Sequence, residues 1–234
     1  MDTAAAVDYA LGRGGAPNLG GLGIAALGSL EVRVADVEVH GWGASKAGGR
    51  QTRALFAFLF DRGPAGVTKD EVVELIWPDA DLDAGDLAFH RTMLGLRRTL
   101  ADALGRSAPT VELRNDRYRL APELVGSTDV DRFEELIAIA EGAVDDASAI
   151  ASLQEARALY RGDYLDDCPI YGDSAEVEAR RTHLRARLVD VLTALGERHE
   201  RRGDVAQAVA CFRDARDRAL NGSPRAEEAL ARLT

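Results

Sequence analysis

The apolar positions of the first half change period partway along. Val32, Val34, Val37 and Val39 alternate with Glu31, Arg33 and Glu38, the period of two that sends successive side chains to opposite faces of a strand. A short apolar run at 22–27 precedes strands at 30–34 and 37–39, with Ala35-Asp36 as the tight turn between them and 44–49 as a loop of small residues. From Arg50 the period lengthens. Leu55, Phe56, Leu59 and Phe60 mark the buried side of a first helix over 50–60, closed by Gly63-Pro64. A second helix opens at Thr68. Glu71 stands three residues on, the spacing of a capping box, in which each side chain satisfies the other's backbone N–H. Val72, Val73, Leu75, Ile76 and Trp77 give its apolar face, and Pro78 stops it.

A third helix is predicted over 83–104, from Asp83 as N-cap to Gly105 as terminator. Phe89, Met93, Leu96, Leu100 and Leu104 recur three or four residues apart and form one buried stripe. At about 100° per residue, Arg91 and Arg98 fall roughly opposite that stripe, with Leu94 and Gly95 between them and His90 and Arg97 on one flank. A hairpin follows at 110–120. Val111, Leu113, Tyr118 and Leu120 are its apolar members, Asn115-Asp116 its turn, and Arg114, Arg117 and Arg119 its cations. Alone, an arginine-rich hairpin is a solubilised edge. Next to a basic helix face it reads as a wing that grips a phosphate backbone.

The second half is helical throughout. Amphipathic helices are predicted at 129–141 and 148–160, a loop at 164–172, a long helix at 173–201, and further helices at 205–220 and 225–233. Leu195-Gly196, His199, Gly203, Ala208, Phe212 and Ala215 follow tetratricopeptide spacing, in which small residues let two helices approach and Phe212 fills the gap. Ala156 and Tyr160 echo Ala208 and Phe212, the mark of a degenerate earlier repeat, while Pro224 comes late for regular stacking beyond residue 220. Such helices form scaffolds for protein contact.

Composition sharpens this division. The 234 residues are 46% hydrophobic and 29% charged, with a net charge of −10. That excludes a uniformly basic nucleic-acid coat but leaves a local basic face open. Residues 27–121 hold 13 basic and 14 acidic side chains, whereas 122–234 hold 15 and 23. The change places a boundary near 122–127. The expected organisation is a flexible lead (1–21), a first domain (22–124) and a helical domain (125–234). No apolar run reaches the 18 or so residues of a membrane span, and the N-terminus lacks a signal-peptide pattern, so a cytoplasmic protein is expected.

Candidate chemistry is sparse. Cys168 and Cys211 cannot build a disulfide framework. His40, His90, His183 and His199 have no H-x-x-x-H pairing, and no phosphate loop or nucleophile elbow occurs. Asp79, Asp81, Asp83 and Asp86 lack the glycine and terminal glutamate of a calcium loop. The R-x-x-x-R pair Arg181 and Arg185 lies on a long helix where that spacing is common by chance. No catalytic residue, metal or cofactor is expected.

The order of these elements resembles the Streptomyces antibiotic regulatory protein (SARP) family, an OmpR-type winged helix followed by a bacterial transcriptional activation domain. The segments that carry the resemblance begin with Leu27-Gly-Ser-Leu-Glu-Val, Arg53-Ala-Leu-Phe-Ala-Phe-Leu, Glu74-Leu-Ile-Trp-Pro-Asp-Ala-Asp and Ala88-Phe-His-Arg-Thr-Met-Leu-Gly-Leu-Arg-Arg-Thr-Leu. Arg117-Tyr-Arg-Leu, Asp129-Val-Asp-Arg-Phe-Glu and Leu159-Tyr-Arg-Gly-Asp-Tyr-Leu continue it, so that it covers about residues 22–234. It implies a mainly α fold with a small β component: a winged helix-turn-helix domain, then a tetratricopeptide-like helical domain. It further implies a DNA-binding transcriptional regulator, an activator rather than an enzyme. The recognition helix would fall on 83–104, with Arg91 and Arg98 facing DNA, Arg97, His90 and Thr92 nearby, and Arg114, Arg117 and Arg119 on the wing. The implied partners are double-stranded DNA, RNA polymerase through the turn at 78–83, and a second copy on direct repeats. Two features depart from the family: Gly95 stands where many relatives have arginine, and the chain ends about one helical hairpin early. The alternative reading is an adaptor whose winged helix has lost DNA binding.

Overall fold

The computed structural model describes residues 21–35, 37–43, 48–105, 109–220 and 222–233. The N-terminal lead, Asp36 of the first turn and most of the loop at 44–49 lie outside the described residues. Three short strands come first: β1 (Leu22–Ala25), β2 (Glu31–Val34) and β3 (Val37–Glu38). They run antiparallel in sequence, Ile24 opposite Val32 and Val34 opposite Val37. Helices α1 (Gly49–Arg62), α2 (Lys69–Ile76) and α3 (Leu82–Leu104) follow. Then come the hairpin strands β4 (Val111–Arg114) and β5 (Arg117–Leu120).

Local chemistry explains most of the boundaries. Thr68 Oγ1 accepts the Glu71 N–H while Glu71 accepts the Thr68 N–H at 2.6 Å, completing the capping box. Helix α3 is capped by Asp81, which accepts the Ala84 N–H at 2.8 Å, and not by the expected Asp83. Both aspartates suit the cap chemically, and the turn after Pro78 decides between them. Gly105 closes the helix in the left-handed conformation. Asn115 and Asp116 both take positive φ, as a two-residue hairpin turn of this hand requires.

The hairpin is joined to the helices by an antiparallel bridge between Val67, just before α2, and Tyr118. Phe89 of α3 packs edge-on against Tyr118, ring centroids 5.0 Å apart. The three-helix unit with its attached hairpin is a winged helix-turn-helix.

The second half holds α4 (Asp129–Glu141), α5 (Asp146–Leu159), α6 (Ala175–Arg201), α7 (Val205–Arg218) and α8 (Pro224–Leu233). Thr128, Asp145 and Ser174 cap α4, α5 and α6. Phe212 is fully buried, and a Cβ at Gly196 would lie 2.6 Å from its ring. Glycine there therefore permits the close approach of α6 and α7 that the repeat spacing requires.

A fourth strand, β6 (Val125–Thr128), is not marked in the sequence pattern. It runs parallel to β1 and extends the N-terminal sheet to the order β3-β2-β1-β6. The helical half thus begins inside the sheet of the winged-helix half. One apolar core continues through both, from Leu22 to Leu230. The segment at 160–166 adds backbone hydrogen bonds to Ala26, Leu27 and Gly28. Asp129, 2% exposed, accepts the N–H groups of Ala26 at 2.8 Å and Leu27 at 2.9 Å. Asp61 of α1 accepts the hydroxyls of Tyr164 at 2.7 Å and Tyr171 at 2.5 Å, with Arg180 3.4 Å away.

Candidate nucleic-acid interface

Helix α3 presents the face that its periodicity predicts. Phe89, Met93, Leu96 and Leu100 are buried, while Arg91 and Arg98 on the opposite side are exposed. Neither arginine has a hydrogen-bond or ion-pair partner among the described residues. From Leu87 to Ala101 the helix holds three arginines, one histidine and no carboxylate. Asp102 stands one turn beyond Arg98, and the acid at the other end, Asp86, is engaged by Lys69 at 2.6 Å and His90 at 3.4 Å. Its hydrogen bond to Lys69 holds the Asp86 carboxyl below its ordinary pKa and raises that of the ammonium. His90 is exposed beside Phe89. Arg97 is exposed and donates to the Val111 carbonyl at 3.3 Å, linking α3 to the wing.

Thr92 differs from the other candidates on the helix. It is 9% exposed and faces inward, 100° round the helix from Arg91, so the exposed face does not include it. Gly95 is buried as well. A Cβ there would sit 3.5 Å from Gly43 Cα and Thr52 Oγ1, which makes position 95 a contact between α3, α1 and the loop before it.

The wing arginines separate into two kinds. Arg114, beside the turn, is exposed and unpaired among the described residues. Arg117 instead donates to the Ala65 carbonyl at 2.9 Å, the Gly66 carbonyl at 3.1 Å and the Glu71 carboxylate at 3.0 Å. The Thr68 backbone N–H, and then the Arg117 guanidinium, hold the Glu71 carboxyl below its ordinary range. Arg119 pairs with Glu112 on the facing strand at 2.8 Å and is 18% exposed. These two arginines hold the hairpin in place. Their partners lie on other elements, and single-sequence periodicity carries no sign of them.

One cation escapes the sequence pattern. Arg50, at the start of α1, is exposed and unpaired among the described residues. It lies two residues from Thr52, the neighbour of Gly95, and so about 200° round α1 from the side that meets α3. Beside Arg98 a cleft of about 340 Å³ is lined by Gly95, Thr99 and Asp102 of α3 and by Glu38, His40 and Gly41. Its charges are mixed. Arg181 and Arg185 are committed to the junction, to the Tyr164 and Leu165 carbonyls and to Asp163. Cys168 and Cys211 are buried, and burial pushes both thiols up, Cys168 to about 11. No helix among the described residues is long and apolar enough to cross a membrane.

A winged helix followed by tetratricopeptide-like helices is the order of domains in the SARP-like regulators that the chain resembles. Residues 128–233, the helical half, match the family model of the bacterial transcriptional activator domain. A structure of Mycobacterium tuberculosis EmbR in complex with a low affinity phosphopeptide shares the fold, with a TM-score of 0.57 at 18% identity over 91% of this chain. The chain spans 64% of the length of that protein's chain. No curated protein matches the chain.

Proposed function

We propose that the chain is a DNA-binding transcriptional regulator, acting as an activator, with α3 in a major groove. One observation carries the reading. In a chain of net charge −10, most arginines among the described residues are tied to carboxylates or carbonyls, yet Arg91 and Arg98 have no partner among those residues and project from a fifteen-residue stretch without an acid. Exposed cations kept free of intramolecular partners fit a polyanion, and their position opposite the core stripe fits a groove. Arg97 and His90 extend the cationic surface, and Arg114 is the wing cation available to a phosphate. Arg117 and Arg119 serve the wing by holding its shape.

The acidic helical half is repelled by DNA and supplies the surface for a second copy on direct repeats. The turn before α3 and the first residues of that helix carry exposed Asp79, Asp81 and Asp83 with Leu82, 92% exposed, and are proposed as the contact for RNA polymerase. The adaptor reading is favoured by a different observation, the internal pairing of two of the three wing arginines. The test is capture of genomic fragments by the full chain and by an Arg91→Ala/Arg98→Ala variant, with reporter transcription from the captured fragments. Enrichment by the wild type that the folded double variant loses supports the regulator. Equal capture by both refutes the groove face.

A further inference from the structure

The same outward stripe of α3 that carries the arginines also carries two leucines. Leu87 is 51% exposed and Leu94 is 49% exposed. The order Leu87, Arg91, Leu94, Arg98 runs at spacings of four, three and four, so all four side chains share one face. Leucine suits a helix on propensity alone, but here the two share one outward stripe with the arginines rather than lying scattered. The charge around them specifies what covers them, because the stretch 87–101 is cationic and free of carboxylates.

We propose that Leu87 and Leu94 read thymine methyl groups, making this helix specific for a site in which thymines alternate with the bases contacted by Arg91 and Arg98. The inference rests on the DNA-binding reading and extends it to sequence preference. The floor of the major groove offers one apolar group, the C5 methyl of thymine, whereas guanine O6 and N7 accept from arginine. Seven residues of helix rise about 10.5 Å, close to three base-pair steps. The two leucines therefore meet methyl groups about three steps apart, and each arginine reaches a base edge displaced from them along the groove. A cationic helix without these leucines would bind backbone charge and read only guanines.

The test uses the full chain and duplexes it enriches from a random-sequence library. Each thymine of the best duplex is replaced singly by deoxyuridine, which removes the methyl and keeps the base pair. Affinity is expected to fall about three- to fourfold at two positions about three steps apart, the effect of losing one buried methyl. Leu94→Ala should abolish the sensitivity at one of those positions and Leu87→Ala at the other, with helical circular dichroism unchanged because both residues are exposed. Enriched duplexes that bind equally with thymine or uracil overturn the proposal and assign the leucines to a protein contact. Sensitivities that persist in both leucine variants overturn it too. Failure to enrich or bind any duplex at low salt is a distinct result, which overturns the DNA-binding reading beneath it.

Discussion

Arg117 holds the wing to the body of the winged helix through the carbonyls of Ala65 and Gly66 and the carboxylate of Glu71. Hydrogen bonds to charged groups contribute about 1.5–3 kcal/mol when shielded and less when water reaches them. Arg117 is partly exposed, so Arg117→Ala is expected to destabilise the fold by about 1–2 kcal/mol in a denaturant titration. Asp129 is a second such residue. Burial pushes its carboxyl up to about 6, against the opposing pull of the Ala26 and Leu27 N–H groups. The folded state therefore holds a proton that the unfolded chain releases near pH 4, and stability from this group declines as pH rises toward 6. Asp129→Asn removes the titration. Its stability deficit relative to wild type is expected to be widest at pH 4 and to narrow by pH 7, measured as the difference in melting temperature across that range. Periodicity alone made Arg91 and Arg98 legible as outward cations. It could not separate Arg114 from Arg117, because Glu71 lies 46 residues from its arginine, whereas the Arg119–Glu112 pair lies opposite across the Asn115-Asp116 turn.

Helix α3 and the α6–α7 pair show how single glycines set the approach of elements. At Gly95 a methyl group meets Gly43 and Thr52 at ordinary contact distance, 3.5 Å. Gly95→Ala should raise stability by about 0.5–1 kcal/mol through helix propensity alone. At Gly196 a methyl group collides with the Phe212 ring. Gly196→Ala should cost about 1–3 kcal/mol, the usual range for overpacking. Thermal melts of the two variants moving in the same direction would refute this contrast. Element identity was legible wherever a local signal existed: the Thr68 capping box, the Asn115-Asp116 turn, the Gly105 terminator and the stripe of α3. Strand β6 was not. Val125-Gly-Ser-Thr has no alternating pattern, and its partner β1 is about a hundred residues earlier, so only the assembled sheet identifies it.

Across the whole molecule, the two halves are one folding unit. Strand β6, the Asp129 carboxylate, the 160–166 segment and the Asp61–Tyr164–Tyr171 cluster all cross the boundary that charge and texture suggest near 122–127. A fragment of residues 22–124 loses all four and exposes the edge of β1. It should melt far below the full chain or fail to show a cooperative transition by circular dichroism. Contacts of this kind fix the orientation of α3 relative to the acidic helices. The most direct test of the account is binding of the full chain to duplex DNA across a salt series, beside the Arg91→Ala/Arg98→Ala variant. Salt-dependent binding is predicted for the wild type, with the double variant weaker by about 1–3 kcal/mol for each arginine withdrawn from a base edge. Indistinguishable affinity for the two proteins, or no binding by the wild type at the lowest salt, would contradict it.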